Sequence, residues 1–251
     1  PAVLFPLLFL YSFGAEKDTE AGGIRFTELP SSQTRIKFIN NITENDSVNL
    51  ITNEYLYTGG GVGIGDFNND GLSDIFFSAN QSTSKLYLNK GNFKFDDITS
   101  KANVTTSFWG TGVSIVDINS DGFDDIYVCA SGSTNPSLRK NHLYINNRDL
   151  TFSEQAEVYG LADTSYSTQA VFFDYDKDGD LDMYLLNHLL YNLNPNTILD
   201  SAYTGHLPAA DKLYRNDGPA SKPVFKEVSQ TAGITEHGYG LGVVVSDFNG
   251  D

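Results

Sequence analysis

The chain has 251 residues, 40% of them hydrophobic, which is enough to bury a substantial core and gives no compositional sign of disorder. Its formal charge of −16 argues against binding nucleic acid through phosphates. A single cysteine, Cys129, excludes an internal disulfide; inside a predicted strand it reads as a small buried hydrophobe.

Taken from the start, Pro1 to Leu10 is apolar and runs into Ser12-Phe13-Gly14-Ala15, like the hydrophobic region and small-residue end of a signal peptide. The stretch is too short to span a membrane, and the polar, glycine-bearing Glu16 to Gly23 ranks a buried strand below it. Residues 1–15 therefore predict an exported protein, periplasmic, cell-surface or extracellular, and 16–251 one repetitive domain. Arg25-Phe26-Thr27-Glu28-Leu29-Pro30 reads as the last strand of a unit with no earlier strands before it.

From residue 57 onward the chain repeats itself. Asp66-Phe67-Asn68-Asn69-Asp70-Gly71-Leu72-Ser73-Asp74 returns as Asp117-Ile118-Asn119-Ser120-Asp121-Gly122-Phe123-Asp124-Asp125 and as Asp174-Tyr175-Asp176-Lys177-Asp178-Gly179-Asp180-Leu181-Asp182. A further copy begins with Asp247, Asn249 and Asp251. Twelve of the 32 acidic residues are candidate ligand carboxylates in these motifs. Carboxylates at alternate positions of a tight loop can turn inward together, the glycine at the sixth position permits the bend, and the seventh carbonyl adds an oxygen. The pattern suits Ca2+, which takes six to eight oxygens. The expected ligands are Asp66, Asn68, Asp70, the Leu72 carbonyl and Asp74; Asp117, Asn119, Asp121, the Phe123 carbonyl and Asp125; Asp174, Asp176, Asp178, the Asp180 carbonyl and Asp182; and Asp247, Asn249 and Asp251. An EF-hand is excluded, since position twelve is Phe77, Val128 or Leu185 and a strand-like run follows each loop. Simple Asp-Gly hairpin turns would explain one copy but not three with the same positions filled.

Two more landmarks follow each motif in fixed order. Leu86-Tyr87-Leu88-Asn89 is matched by Leu143-Tyr144-Ile145-Asn146 and Leu213-Tyr214-Arg215-Asn216, and Phe95 by Phe152 and Phe225. Each unit reads as four strands, over about 57–98, 108–155 and 165–228, with a further unit starting at 239–251. Four short strands per unit at periods of 51, 57 and 73 residues predict an all-β fold, a β-propeller of four-stranded blades. In such a ring Phe26 to Leu29 would complete the outer edge of a blade beyond Asp251. The periods differ mostly between second and third strands, at Ser131 to Lys140 and His188 to Asp211, which alternation of strand direction puts on the face opposite the Asp loops. Tyr57, Trp109, Tyr166 and Tyr239 each lie eight or nine residues before a first Asp; they read either as inter-blade packing or as a rim for a ligand.

The Asp loops, with Gly-Val-Gly-Ile-Gly and Gly-Thr-Gly-Val-Ser before them, resemble the FG-GAP/VCBS repeats of integrin-α-type propellers. The finer pattern (Leu-Tyr-x-Asn, Asp-Tyr-Asp-Lys-Asp-Gly-Asp, Tyr-Gly-Leu-Gly-Val) is similar to exported bacterial proteins of the cartilage-acidic-protein and ASPIC/UnbV type. The resemblance covers about Phe26 to Asp251. It implies a roughly seven-bladed ring with calcium in the hairpin loops. Asn68 and Asn119 stand where the third loop has Asp176, so the third site should bind a cation most strongly.

Three functions remain open. The first is a calcium-stabilised, exported recognition or adhesion module for a glycan or an extracellular protein. The second is a polysaccharide lyase or hydrolase on the face opposite the loops, with His188, His206, His237 and Glu236 as candidates for proton transfer and no nucleophile–base spacing among them. The third is a non-catalytic scaffold. Sequons at Asn41, Asn45, Asn80 and Asn103 would matter only in a glycosylating host.

Overall fold

The computed structural model describes residues 26–51, 55–133, 135–188, 209–234 and 238–249. The apolar stretch 1–15, His206, Glu236, His237, Asp251 and most of the longer insertion lie outside them.

The described chain is all-β, with three four-stranded antiparallel sheets in which strand order follows chain order. The first sheet comprises β1 (Val62–Gly65), β2 (Asp74–Phe77), β3 (Lys85–Asn89) and β4 (Phe95–Asp97). The second comprises β5 (Gly110–Val116), β6 (Asp125–Ala130), β7 (His142–Asn146) and β8 (Phe152–Glu154). The third comprises β9 (Ser167–Phe173), β10 (Asp182–Asn187), β11 (Lys212–Asn216) and β12 (Phe225–Glu227). Register repeats with order. Tyr87 faces Ile75 and Asp97, Tyr144 faces Ile126 and Glu154, and Tyr214 faces Met183 and Glu227.

The second strand of the middle sheet is apolar on both faces because that sheet is covered twice. All six residues of β6 are buried. On one face Ile126, Val128, Tyr144 and Phe152 pack with Phe67, Phe76 and Leu86 of the first sheet. On the other, Tyr127, Cys129, Leu143 and Ile145 pack with Met183, Leu185, Tyr214 and Phe225 of the third. Cys129 is thus a core residue, and burial pushes its thiol far up. One buried ion pair sits at that second interface. Lys212 Nζ and Tyr214 Oη both donate to Asp163 Oδ2, and their pull outweighs burial and holds the carboxyl below its usual range.

The first sheet has no preceding sheet among the described residues, and the chain before it covers the corresponding face. Phe38 stacks on Phe77 at 4.9 Å, the Lys37 amide donates to Tyr87 Oη, and Arg35 pairs with Asp96. Residues 26–30 form no strand, and Phe26 is exposed; the described residues pair Phe26 to Leu29 with no sheet edge. Residues 241–247 also form no strand, but they run along β9: Thr168 Oγ1 donates to the Gly240 carbonyl, and the Val243 amide to Gln169 Oε1. Asn80 is buried, with its amide donating to the Gly110 carbonyl, so that sequon is closed to a glycan in the folded chain.

Short helices follow two fourth strands, at Thr99–Ala102 and Ala156–Tyr159, and a 3-10 turn at Pro136–Leu138 sits in the shorter insertion. A four-residue helix is too brief to leave a periodic signal. The residue before each third strand ties down the end of the second. Ser84 Oγ accepts the Ala79 amide, Asn141 Oδ1 the Ala130 amide, and Asp211 Oδ1 the Asn187 amide.

First strands run beside one another, β1 against β5 and β5 against β9, and glycine sets how closely. A Cβ on Gly112 would lie 2.3 Å from the Thr168 carbonyl oxygen, and one on Gly61 2.5 Å from that of Thr111. Backbone cannot move aside as a flexible side chain can. Gly112→Ala should therefore cost about 1–3 kcal/mol in denaturant unfolding. Gly242→Ala, whose Cβ would meet only Gln169 at 3.7 Å, should change stability far less. Equal effects would show that close strand approach is not the constraint.

Candidate metal centres

The three acidic loops share one backbone course. The fourth and sixth positions are left-handed in each, at φ 55° and 84° for Asn69 and Gly71, 54° and 86° for Ser120 and Gly122, and 64° and 93° for Lys177 and Gly179. Glycine carries no penalty there, Asn a small one and Lys a larger one. The first carboxylate then takes two backbone N–H groups across the loop. Asp66 accepts from Asp70 and Gly71 at 3.1 and 2.7 Å, Asp117 from Asp121 and Gly122 at 2.9 and 2.8 Å, and Asp174 from Asp178 and Gly179 at 3.1 and 3.0 Å.

The ninth carboxylate closes the loop onto the sheet. Asp74, Asp125 and Asp182 are fully buried at the start of the second strands. One oxygen of each accepts the amide of the loop's second residue, Phe67, Ile118 or Tyr175. The other accepts the amide of the Asn that ends the third strand: Asn89 at 2.7 Å, Asn146 at 2.7 Å, Asn216 at 2.8 Å. The same asparagines turn the chain into the fourth strand, their Oδ1 accepting from Gly91, Arg148 and Gly218. The Asp motif and the Leu-Tyr-x-Asn landmark are thus two halves of one clasp. Sequence reasoning left Asn89, Asn146 and Asn216 outside the site because 15, 21 and 34 residues separate each from its Asp.

Burial pushes the Asp74 carboxyl up to about 6 and that of Asp125 to about 7, against the two amides each accepts; neighbouring loop carboxylates add to the rise. Asp182 is raised for the same reasons. Loops one and two are tied together, the Asp66 amide donating to Asp124 Oδ2 and Asn69 Nδ2 to the Gly122 carbonyl. Arg148 binds Asp121 Oδ2 at 3.1 Å, placing a guanidinium on one of the second loop's own carboxylates. The third loop differs. Asp174, Asp176 and Asp182 bring ligand oxygens within 4.8 Å of one another, as no other three acidic, His or Cys residues do among the described residues. Asp180 Oδ1, buried beside them, has no hydrogen-bond partner. The candidate ligand side chains are carboxylates and amides, whose oxygens are the donors that suit a hard cation. Of the expected ligands in the fourth motif Asp247 and Asn249 are described, and the Asp247 carboxylate accepts the Asn249 amide.

At the other end of the sheets the four rim aromatics separate. Tyr57 is exposed and donates to Glu44, Tyr239 is exposed with its edge toward His188, and Trp109 is half-buried. Tyr166 has no free face. It is 2% exposed, and the Arg139 guanidinium from the shorter insertion covers its ring at 4.3 Å. Trp109 borders a cavity of about 460 Å³, together with Tyr55, Ser131, Gln169 and His188.

Residues 66–128 and 129–185 match the family model of the FG-GAP-like repeat. Two FG-GAP-like repeats thus run end to end through residues 66–185. Each repeat as matched starts within one sheet's inner hairpin, at its loop in the first match and in its second strand in the other, and ends inside the second strand of the next sheet, so it straddles an interface. The chain is also 29% identical over 199 residues to cartilage acidic protein 1 of Xenopus tropicalis, and 27% identical over 203 residues to that of Mus musculus. These alignments take in 78% of this chain and 28% of each relative, so the chain spans little more than a quarter of their length. Among the described residues no helix is long and apolar enough to cross a membrane.

A raised folded-state pKa gives stability that is full below the unfolded value, about 4 for Asp, and is lost as pH climbs through the folded one. In chelator, the melting temperature should therefore fall between about pH 4 and about pH 7 as Asp74 and Asp125 are forced to ionise. Asp125→Asn should flatten that fall. An unchanged slope would show that the buried ninth carboxylates do not govern it.

Proposed function

We propose that this chain is part of a calcium-stabilised β-propeller in an exported recognition protein, with cations at one end of its sheets and a partner bound at the other. The observation that carries this reading is the repetition of one carboxylate-lined loop, with the same hydrogen bonds, at the same end of three adjacent sheets. Asp66, Asn68, Asp70 and Asp74, their counterparts in the second and third loops, and the carbonyls of Leu72, Phe123 and Asp180 would hold Ca2+. Bound calcium would neutralise carboxylates that otherwise repel one another, and so would lock each inner hairpin. Asp180 Oδ1, buried and without a partner, supports a cation at the third loop. Side-by-side sheets with glycine-lined inner strands support a ring, in which each new sheet repeats the previous contact. Relatives named as acidic proteins of cartilage support an extracellular setting, where calcium sites of about 10⁻⁴–10⁻³ M are effective. The partner would be a glycan or an extracellular protein.

Calcium at about 100 times its Kd should add about 2.7 kcal/mol per site to the unfolding free energy, and chelator should remove it. Asp176→Asn should weaken the highest-affinity site in a calcium titration while leaving the others in place. Melting that ignores both calcium and chelator would overturn the metal reading.

A further inference from the structure

The cavity bordered by Trp109 has two properties that its volume alone does not give. Among the described residues, none of its lining side chains is acidic or basic apart from His188, although the chain as a whole carries −16. Two of its lining residues also carry polar atoms that are buried and unpaired, Ser131 Oγ and His188 Nε2. Buried polar atoms without partners are rare in folded chains, and each asks what would satisfy it. His188 is 2% exposed, and its Nδ1 lies 3.1 Å from the Gly240 carbonyl. A carbonyl only accepts, so Nδ1 carries the proton. Burial lowers the pKa of the ring and keeps it neutral, leaving Nε2 as a bare acceptor. Ser131, held by its amide to the Trp109 carbonyl, offers a hydroxyl that donates and accepts.

The walls supply the complementary feature. Trp109 packs against Gly132, where a Cβ would come 2.5 Å from the ring, so glycine sets the position of the indole. Tyr55 stands edge-on to His188 with ring centroids 3.9 Å apart. A wholly apolar ligand would leave both polar atoms unpaired, and an anionic one would enter against the charge of the chain. A neutral ring with one apolar face and several hydroxyls meets each requirement, and about 460 Å³ is within the usual range for a small-molecule site.

We propose that this cavity binds a neutral saccharide, its ring stacked on Trp109 and its hydroxyls paired with His188 Nε2 and Ser131 Oγ. Rotation of the Ser131 hydroxyl and small shifts of the side chains that cover His188, of the kind common on binding, open the two buried atoms to the ligand while the Nδ1 bond to Gly240 is kept. The inference rests on the reading of the chain as a recognition module and names the partner's class.

Trp109 is the sole tryptophan of the chain, so intrinsic indole fluorescence reads the cavity directly. The full chain with calcium should be titrated with neutral gluco-, galacto-, manno- and xylo-oligosaccharides and, separately, with uronate oligosaccharides, with calorimetry in parallel. Saturable quenching or enhancement by a neutral class is expected. By calorimetry, Ser131→Ala should weaken binding about three- to tenfold and Trp109→Ala at least about tenfold. Ser131→Ala should leave the melting temperature of the free protein unchanged or raise it, because an unpaired buried hydroxyl is removed. Binding of uronates alone, no neutral sugar bound by folded protein, or binding that ignores both substitutions would each overturn the proposal. The calcium response of melting is read on the same samples, and its failure would count against the metal reading alone.

Discussion

The structure depends on a carboxylate that never reaches the surface. Asp74, Asp125 and Asp182 each use two oxygens to hold two backbone amides from opposite sides, one in the acidic loop and one at the end of the third strand. A buried charge of this kind is costly unless it is satisfied, and two amides do not fully offset its burial at Asp74 and Asp125. The loop geometry, the turn into the fourth strand and the raised pKa values all follow from that one placement. A cation among the outer carboxylates would act on the same group from the other side, by favouring its charged form.

The parts of this arrangement that were legible in the sequence are those that repeat in residue type. Asp and Gly at fixed offsets, a Leu-Tyr pair and a Phe marked the loops and the third and fourth strands, and the sheets formed where those marks lie. What repeats only in role was hidden. Ser84, Asn141 and Asp211 make the same bond to the end of the second strand with three different side chains. The link from Asp182 to Asn216 was invisible because an insertion of variable length separates them. Tyr166 shows the limit of position as a guide. It occupies the same place in its unit as Trp109, but Arg139 from a neighbouring insertion covers it.

The two ends of the sheets obey opposite electrostatics. One gathers carboxylates close enough to repel, each restrained by backbone amides; the other is a nearly uncharged cavity between inner strands brought together by glycine. The first end limits how the inner hairpin can bend, and the second limits how near adjacent sheets can come. Rigid hairpins and close sheets together leave the cavity walls little freedom to collapse.

The phase of the repeat bears on how such a chain is assembled. Because each matched unit runs from one sheet's inner hairpin into the next sheet, most of one inter-sheet core lies within some sixty consecutive residues: Phe67, Phe76, Leu86 and Ala102 meet Ile126 and Val128 inside the first unit. Contacts of that kind are local along the chain, and arrays of such units fold by nearest-neighbour steps. A growing polypeptide can therefore dock each sheet on its predecessor as it is synthesised, without waiting for the last strand. Duplication of a unit would likewise carry its own interface with it.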